Sequence, residues 1–198
     1  LDPATKTPVP VAAAAAVVAT TFFSSMLYYV FIINGALVFA EVGVDSSAEY
    51  GKLIFIPSMF ILAGAVLFRL LANKGSGMQI ATFLFLLGAG LAGIGLAHSV
   101  PMMLAALVVQ QTAAGMAVPT LIAWAQSKYS FEHRGLGMGL WTTAFFLAQS
   151  QSPNMVHALN TYTGSMQGAF LTAGGVGVAV AVLVFIGTMV KGNGRTAA

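Results

Sequence analysis

Uncharged polar side chains interrupt several long apolar runs of this sequence. They are Tyr28, Asn34, Gln110, Gln111 and Gln149. Amides and a phenol donate and accept hydrogen bonds without a charge, so they can orient a polar or amphipathic solute without the desolvation cost of a buried ion. An amide surrounded by hydrocarbon must also find a partner, and hydrogen bonds between helices would satisfy the same side chains. The residue types leave both roles open.

Phenylalanines accompany these polar residues and could supply apolar contact to the same solute. They are Phe22, Phe31, Phe145 and Phe146. Because Gln110 and Gln111 are adjacent, they point about 100° apart on a helix. We therefore expect one of the two to face a solute and the other to face a neighbouring helix.

Hydrolytic, redox and metal chemistry find no support in the sequence. There is no cysteine, and His98, His133 and His157 fall near the ends of apolar runs, where interfacial residues are common. "GAGLAG" at 88–93 has the letters of a dinucleotide-binding fingerprint, but that fingerprint must follow a strand. Inside an apolar run, the pattern is typical of small residues that let helices pack closely. We therefore expect neither an enzyme nor a metal or cofactor site.

The composition is that of a membrane protein. Only 7% of the residues are charged and 58% are hydrophobic, with a mean hydropathy of +0.89, whereas soluble domains average about a quarter charged residues. The net charge of +3 comes from eight Lys/Arg against five Asp/Glu. That surplus is too small for a nucleic-acid-binding surface, so the expected surroundings are a lipid bilayer and a small-molecule substrate.

Six stretches are long and apolar enough to cross a bilayer, which needs about 20 residues per helix. They run over about 17–42, 50–71, 78–98, 102–126, 137–159 and 166–190. Short breaks rich in Gly, Ser, Pro and Asn separate them. The prediction is an all-α membrane protein with six transmembrane helices in one bundle over 17–190, a linker over 1–16 and a tail over 191–198.

The basic residues indicate the orientation. With alternating breaks, seven of the eight Lys/Arg fall on one face, and only Lys52 falls on the other. The seven are Lys6, Arg69, Lys74, Lys128, Arg134, Lys191 and Arg195. By the positive-inside rule, both termini are then cytoplasmic. Trp124 and Trp141 flank the fourth break, at the depth where indole rings commonly settle.

No Asp, Lys or Arg lies in the middle of a predicted span. An ionisable group at that depth usually marks an ion path, so we do not expect this chain to hold a proton or sodium site by itself. Glu41 comes nearest, and its place at the end of a span is typical of a solvated carboxylate.

One long segment resembles the major facilitator superfamily of transporters. The stretch "GMAVPTLIAWAQSKYSFEHRGLGMGLWTTAFFLAQSQSP" at 115–153 is similar to that family's tenth helix, cytoplasmic loop and eleventh helix. Arg134 and Gly135 stand at the loop's Arg-Gly pair, and Gln149 and Pro153 follow. "FRLLANKGSGMQI" at 68–80 resembles the Gly-rich loop of the second half, with Asn73 where that motif often has Asp.

The resemblance implies a role for the chain. It would be the C-terminal six-helix half of a twelve-helix secondary active transporter in the plasma membrane, the inner membrane in a bacterium, with an N-terminal half as partner. Substrate would bind between the halves, on the first, fourth and fifth helices here, and access would alternate. Proton-coupled efflux of a drug-like compound or metabolite is the implied activity. Arg134, Gly135 and Gly137 would form a gating loop that turns sharply at its glycines.

The residues also leave a different class of protein open. Six spans with short connections could form a self-contained membrane channel or an assembly scaffold.

Overall fold

The computed structural model describes the backbone of residues 10–193 and the side chains of residues 10–190. This part of the chain is almost entirely helical, as the sequence predicts. The helices are α1 (Val11–Ala40), α2 (Ser47–Ser58), α3 (Ile61–Leu70), α4 (Ser76–Leu96), α5 (Val100–Ser127), α6 (Arg134–Thr163) and α7 (Met166–Asn193). Short 3₁₀ turns, Ala72–Lys74 and Phe131–His133, precede α4 and α6.

Five of the six predicted spans meet the length and apolarity that a bilayer crossing requires. They are α1, α2 with α3 (Ser47–Leu70), α4, α5 and α7 up to Val190. Helix α6 is long enough, with 30 residues, but its many Gln, Ser, Thr and Asn residues keep it out of that set. By length and composition, the described residues therefore hold five candidate spans, and α6 is a long helix of a different character.

Both ends of the predicted bundle differ from their expected boundaries. Helix α1 begins at Val11, so residues 11–16 are helical, although they were expected in a linker. The alanine run at 12–16 explains this, because alanine is the strongest helix former. Helix α7 continues to Asn193, into the expected tail. Residues 1–9 and 194–198, with Lys6 and Arg195, lie outside the described residues.

The second predicted span is divided into two helices. Pro57 lies in the last turn of α2 and cannot donate the backbone hydrogen bond that a continuous helix requires. The next amides bond three residues back instead, from Met59 N to Ile56 O at 3.1 Å and from Phe60 N to Pro57 O at 3.1 Å. Helix α3 then starts with the backbone of Ile61 lying directly on Gly115 of α5.

Glycines bring α4 into backbone contact with α7. A Cβ placed on Gly88 would lie 2.6 Å from the backbone nitrogen of Val178 and 2.7 Å from the carbonyl oxygen of Gly174. A Cβ on Gly95 would lie 2.6 Å from the backbone nitrogen of Leu171. No side chain fits at such distances. The "GAGLAG" pattern therefore serves helix packing, and we call this contact the α4–α7 seam.

Hydrogen bonds join three helices at one end of the bundle. The two carboxylate oxygens of Glu41 accept hydrogen bonds from the backbone N–H groups of Met166 and Gln167, the second at 2.8 Å. The Gln167 side chain donates to the carbonyl of Ala97 at 2.6 Å. Glu41 is exposed, as expected, but it also caps α7 at the positive end of the helix dipole.

Candidate functional site

The structure separates the five predicted solute-binding residues into two groups. Asn34, Gln110 and Gln111 are buried within the bundle, with exposed fractions of 6%, 0% and 8%. Tyr28 on α1 is half-buried, and Gln149 on α6 is exposed. The five residues therefore do not form one continuous site.

The two glutamines of α5 bond to each other. The Gln111 amide donates to the Gln110 carbonyl oxygen at 3.0 Å. Gly90 of α4 lies so close that a Cβ there would sit 2.6 Å from the backbone nitrogen of Gln110. The Gln110 amide nitrogen has no hydrogen-bond partner among the described side chains and backbone. Both glutamines are therefore enclosed among the described residues, with exposed fractions of 0% and 8%.

Asn34 satisfies its amide within its own helix. Its nitrogen donates to the carbonyl oxygen of Val30 at 3.0 Å. One turn of α1 therefore provides the partner that an amide in an apolar environment needs.

Five aromatic side chains cluster where α1 crosses α6, near the middle of both helices. We call Tyr28, Tyr29, Trp141, Phe145 and Phe146 the aromatic cluster. Phe145 is its centre, because its ring centroid lies 5.8 Å from that of Tyr28, 5.3 Å from Tyr29, 5.1 Å from Trp141 and 5.6 Å from Phe146. The Trp141 ring stacks on Phe145 at an interplanar angle of 19°.

Trp141, which the sequence predicts at the depth of the membrane interface, is packed within the bundle. It is 7% exposed and lies about two turns inside α6. Stacking on Phe145 contributes to this burial, because the contact covers one face of each of two large apolar rings. The indole N–H has no hydrogen-bond partner within residues 10–190.

The outer side of the aromatic cluster is open. The Phe146 side chain is 57% exposed and Tyr28 is half-buried, whereas the other three rings are at least nine-tenths buried. Gln149 is exposed three residues after Phe146, and residues at that spacing share one face of a helix. Phe146 and Gln149 therefore present a ring and an amide on one face of α6, and Tyr28 lies at the edge of the same aromatic cluster.

Further polar side chains extend this surface along α6. Gln151 lies within 3.5 Å of the Ser150 hydroxyl, and the Asn154 amide donates to the Gln151 carbonyl oxygen at 3.2 Å. All three are exposed. We call Gln149, Ser150, Gln151 and Asn154 the polar face of α6.

Ser152 is a residue whose role the sequence did not reveal. It is fully buried, and its hydroxyl donates to the carbonyl oxygen of Met26 on α1 at 2.9 Å. That bond fixes α6 against α1 beside the aromatic cluster. Its only sequence signal is a serine among exposed polar neighbours, which does not distinguish it from Ser150.

The three predicted gating residues lie in the first turn of α6 and not in a loop. Neither Gly135 nor Gly137 has a positive φ, so the chain does not turn at these glycines. The turn is made before them, by residues 128–133. A Cβ on Gly137 would collide with the Tyr129 ring, whereas a Cβ on Gly135 would meet no atom within 4 Å. Of the two glycines, Gly137 alone is required by packing.

Arg134 is exposed at the start of α6. Its guanidinium carbon lies 5.9 Å from the centroid of the Phe131 ring. A cation at the first position of a helix is opposed by the helix dipole, so Arg134 does not stabilise α6. Burial of the nearby Tyr129 side chain raises the pKa of its phenol, which therefore stays neutral at physiological pH.

Two pockets outside this surface are apolar. One of about 310 Å³ lies between α4 and α7, beside Phe85 and Phe185. Another of about 280 Å³ lies between α1, α6 and α7 and includes Phe22 and Met155. Neither contains an amide, so they lack the polar groups that orient a solute. Among the described residues, no three His, Asp or Glu side chains are grouped as metal ligands.

Comparison with known proteins agrees with the family resemblance. The family model described as Major Facilitator Superfamily matches residues 13–198. A search of curated proteins finds no significant match. The match covers nearly all of the chain, and the five apolar spans are those of a multi-pass integral membrane protein. The chain therefore belongs to the major facilitator superfamily, whose members are membrane transporters of small solutes.

Proposed function

We propose that this chain is the C-terminal half of a secondary active transporter that exports a small amphipathic solute, drug-like or metabolic, by alternating access. An N-terminal six-helix half covers the outer side of α1 and α6, and both termini lie in the cytoplasm. Substrate binds between the halves, as in transporters built from two such bundles. Family membership favours this function over a self-contained channel or scaffold.

The polar face of α6 is the observation that carries the proposal. Four polar side chains, Gln149, Ser150, Gln151 and Asn154, are exposed on a helix that packs against apolar spans. Contact with lipid would leave part of their hydrogen-bonding capacity unsatisfied, which is costly. A water-containing cavity between two bundles removes that cost. The surface beside the aromatic cluster is therefore the proposed solute site, with Tyr28 and Gln149 as contacts.

The buried polar residues form hydrogen bonds within the bundle instead of contacting the solute. In the proposal, Gln110, Gln111 and Asn34 hold helices in place, because their exposed fractions are 8% or less. Arg134 contributes to gating as the family resemblance implies, together with Gly135 and Gly137 at the start of α6. We assign the proton site to the other half, because every Asp and Glu among the described residues lies near a helix end or in a connection.

Transport by the complete gene product in proteoliposomes tests the proposal. A panel of amphipathic compounds is supplied on the side equivalent to the cytoplasm, with and without a pH gradient. We expect at least one compound to accumulate against its gradient and to lose that accumulation when a protonophore is added. Passive flux that the pH gradient does not affect would contradict coupled transport.

A further inference from the structure

We infer that the solute is a planar aromatic compound, neutral or singly cationic, that stacks on the exposed Phe146 ring at the edge of the aromatic cluster. This inference rests on the proposed transport function and adds the substrate class to it.

The cluster has a buried centre and a ring that is left without a neighbour on one side. Phe145 contacts four other rings, and it is 8% exposed. Phe146 stands perpendicular to Phe145, at an interplanar angle of 90°, and more than half of it is exposed. A planar guest can therefore lie against Phe146 and continue the edge-to-face and offset contacts that aromatic rings prefer.

Polar groups at the edge of the cluster match a heteroaromatic guest better than a lipid chain. Gln149 follows Phe146 by three residues and is exposed, whereas the hydroxyl of the exposed Ser150 donates to the backbone carbonyl of Leu147 at 2.8 Å. An acyl chain has no hydrogen-bond donor or acceptor for an amide, whereas ring nitrogens, carbonyls and amino groups form hydrogen bonds with one. The placement of amides next to exposed rings therefore selects a guest that has both a flat apolar surface and hydrogen-bonding atoms.

The charges near the cluster limit the charge of the guest. In the described parts of α1 and α6, the only Lys or Arg is Arg134, at the first position of α6. Phosphates and other multiply charged anions require Arg or Lys in contact, so they do not fit this surface. A single positive charge does fit, because ring faces attract cations.

The pocket between α4 and α7 has exposed aromatic side chains without a neighbouring amide, so it can be compared with the surface around Phe146. Phe85 and Phe185 are exposed there by 48% and 41%. The hydroxyl of Thr82, which also lines this pocket, donates to the backbone carbonyl of Met78 at 2.9 Å. That surface fits lipid, so Phe85 provides a matched control for Phe146.

Two probes of equal size but different flatness test the inference. Binding of a naphthyl amide and of its saturated decahydronaphthyl counterpart is measured by calorimetry on the complete gene product in nanodiscs. We expect the naphthyl amide to bind more tightly. Phe146→Leu keeps an apolar side chain but removes the ring, and it should weaken naphthyl binding roughly three- to tenfold while changing decahydronaphthyl binding less than twofold.

Variants and fluorescence locate the guest. Phe146→Tyr should retain the preference for the flat probe, and Phe85→Leu should leave both affinities unchanged. Trp141 stacks on Phe145, so binding of the naphthyl amide should quench Trp141 fluorescence. Trp141→Phe should abolish this quenching, whereas Trp124→Phe should retain it. Equal affinity for the two probes, or an equal loss for both in Phe146→Leu, would overturn the inference, as would the absence of binding by either probe.

Failure of the inference can be told apart from failure of the proposed function. If saturated and aromatic solutes accumulate equally well in proteoliposomes, the protein is a transporter whose site does not select rings. If the naphthyl amide binds with the stated preference and no solute is ever accumulated, the site stands as a binding site and coupled transport does not.

Discussion

The α4–α7 seam and the surface formed by α1 and α6 are built in opposite ways. At the seam, Gly88, Gly95 and Gly174 let the backbones of α4 and α7 touch. Where α1 meets α6, aromatic rings fill the crossing and amides remain exposed at its edge. Backbone contact at these glycines holds α4 and α7 close together, whereas exposed rings and amides keep unused capacity for contact. The difference favours rigidity at the seam and agrees with the binding proposed for the α1–α6 surface.

The largest effect is expected at the seam, from one methyl group. A Cβ on Gly174 would press on backbone atoms of Gly88 and Ala92, whereas a Cβ on the adjacent Gly175 would meet nothing within 4 Å. Overpacking typically costs about 1–3 kcal/mol, and backbone cannot move aside as a side chain can. We expect Gly174→Ala to lower unfolding stability by about 3 kcal/mol. Gly175→Ala should be neutral or stabilising by up to about 1 kcal/mol, because alanine favours helix.

Thermal unfolding of the two variants in detergent checks this prediction. Equal melting temperatures for Gly174→Ala and Gly175→Ala would mean that α4 and α7 are not held in backbone contact. The seam would then be no more rigid than the α1–α6 crossing.

The glutamines give the second comparison, between a buried pair and an exposed residue. We expect Gln149→Leu to weaken solute binding by about 1–3 kcal/mol, since a polar group of the solute loses its partner, with little change in stability. Gln111→Leu should lower stability without altering solute affinity. It leaves both the amide nitrogen and the carbonyl oxygen of Gln110 without a hydrogen bond, which costs about 1–3 kcal/mol of stability.

Gln110→Leu provides the comparison. It breaks the same hydrogen bond and leaves the Gln111 amide nitrogen without that acceptor, but it also removes an amide nitrogen that has no partner among the described residues. It should therefore cost less stability than Gln111→Leu. Calorimetric affinities and melting temperatures of the three variants separate these effects. A loss of solute affinity in Gln111→Leu that matches the loss in Gln149→Leu would place the buried pair in the site and remove the distinction.

Sequence patterns predicted the helices better than the surroundings of their side chains. Apolar runs of sufficient length specify a span regardless of its neighbours, so α1, α4, α5 and α7 appear close to where the runs lie. Breaks that depend on tertiary contact were missed, such as the division at Pro57, where Ile61 meets Gly115. The start of α6 was also misjudged, because glycines that follow charged residues suggest a loop even when they form a first helical turn.

The candidate site was only partly predictable, for a related reason. Residue type identifies which side chains need a partner but not whether a neighbouring helix supplies it. Gln110 is enclosed because Gly90 lets α4 approach, and no spacing within α5 reveals that. Trp141 had the sequence context of an interfacial residue, and that context does not reveal its stacking on Phe145 one turn later. Tyr28 and Gln149 were identified from residue type, which does not show how far each side chain is exposed.

The smallest expected effect tests whether the end of the bundle near Glu41 belongs with the rigid part. Glu41 pairs with the first two amides of α7, and Gln167 joins α7 to the last carbonyls of α4. Replacing a capping side chain typically costs about 1 kcal/mol, and exposure of Glu41 to solvent keeps the charge contribution small. Glu41→Ala should lower the unfolding stability by about 1 kcal/mol, and Glu41→Gln, which keeps one acceptor oxygen, should lower it by about half as much.

Asp45→Ala serves as the control in the same connection. Hydrogen exchange of the α7 amides gives the local measurement, and faster exchange should be confined to the first turn of α7. If Glu41→Ala exchanges like the wild type there, or if exchange rises equally in Asp45→Ala, the carboxylate does not cap α7, and the rigid region of the bundle stops at the glycine seam.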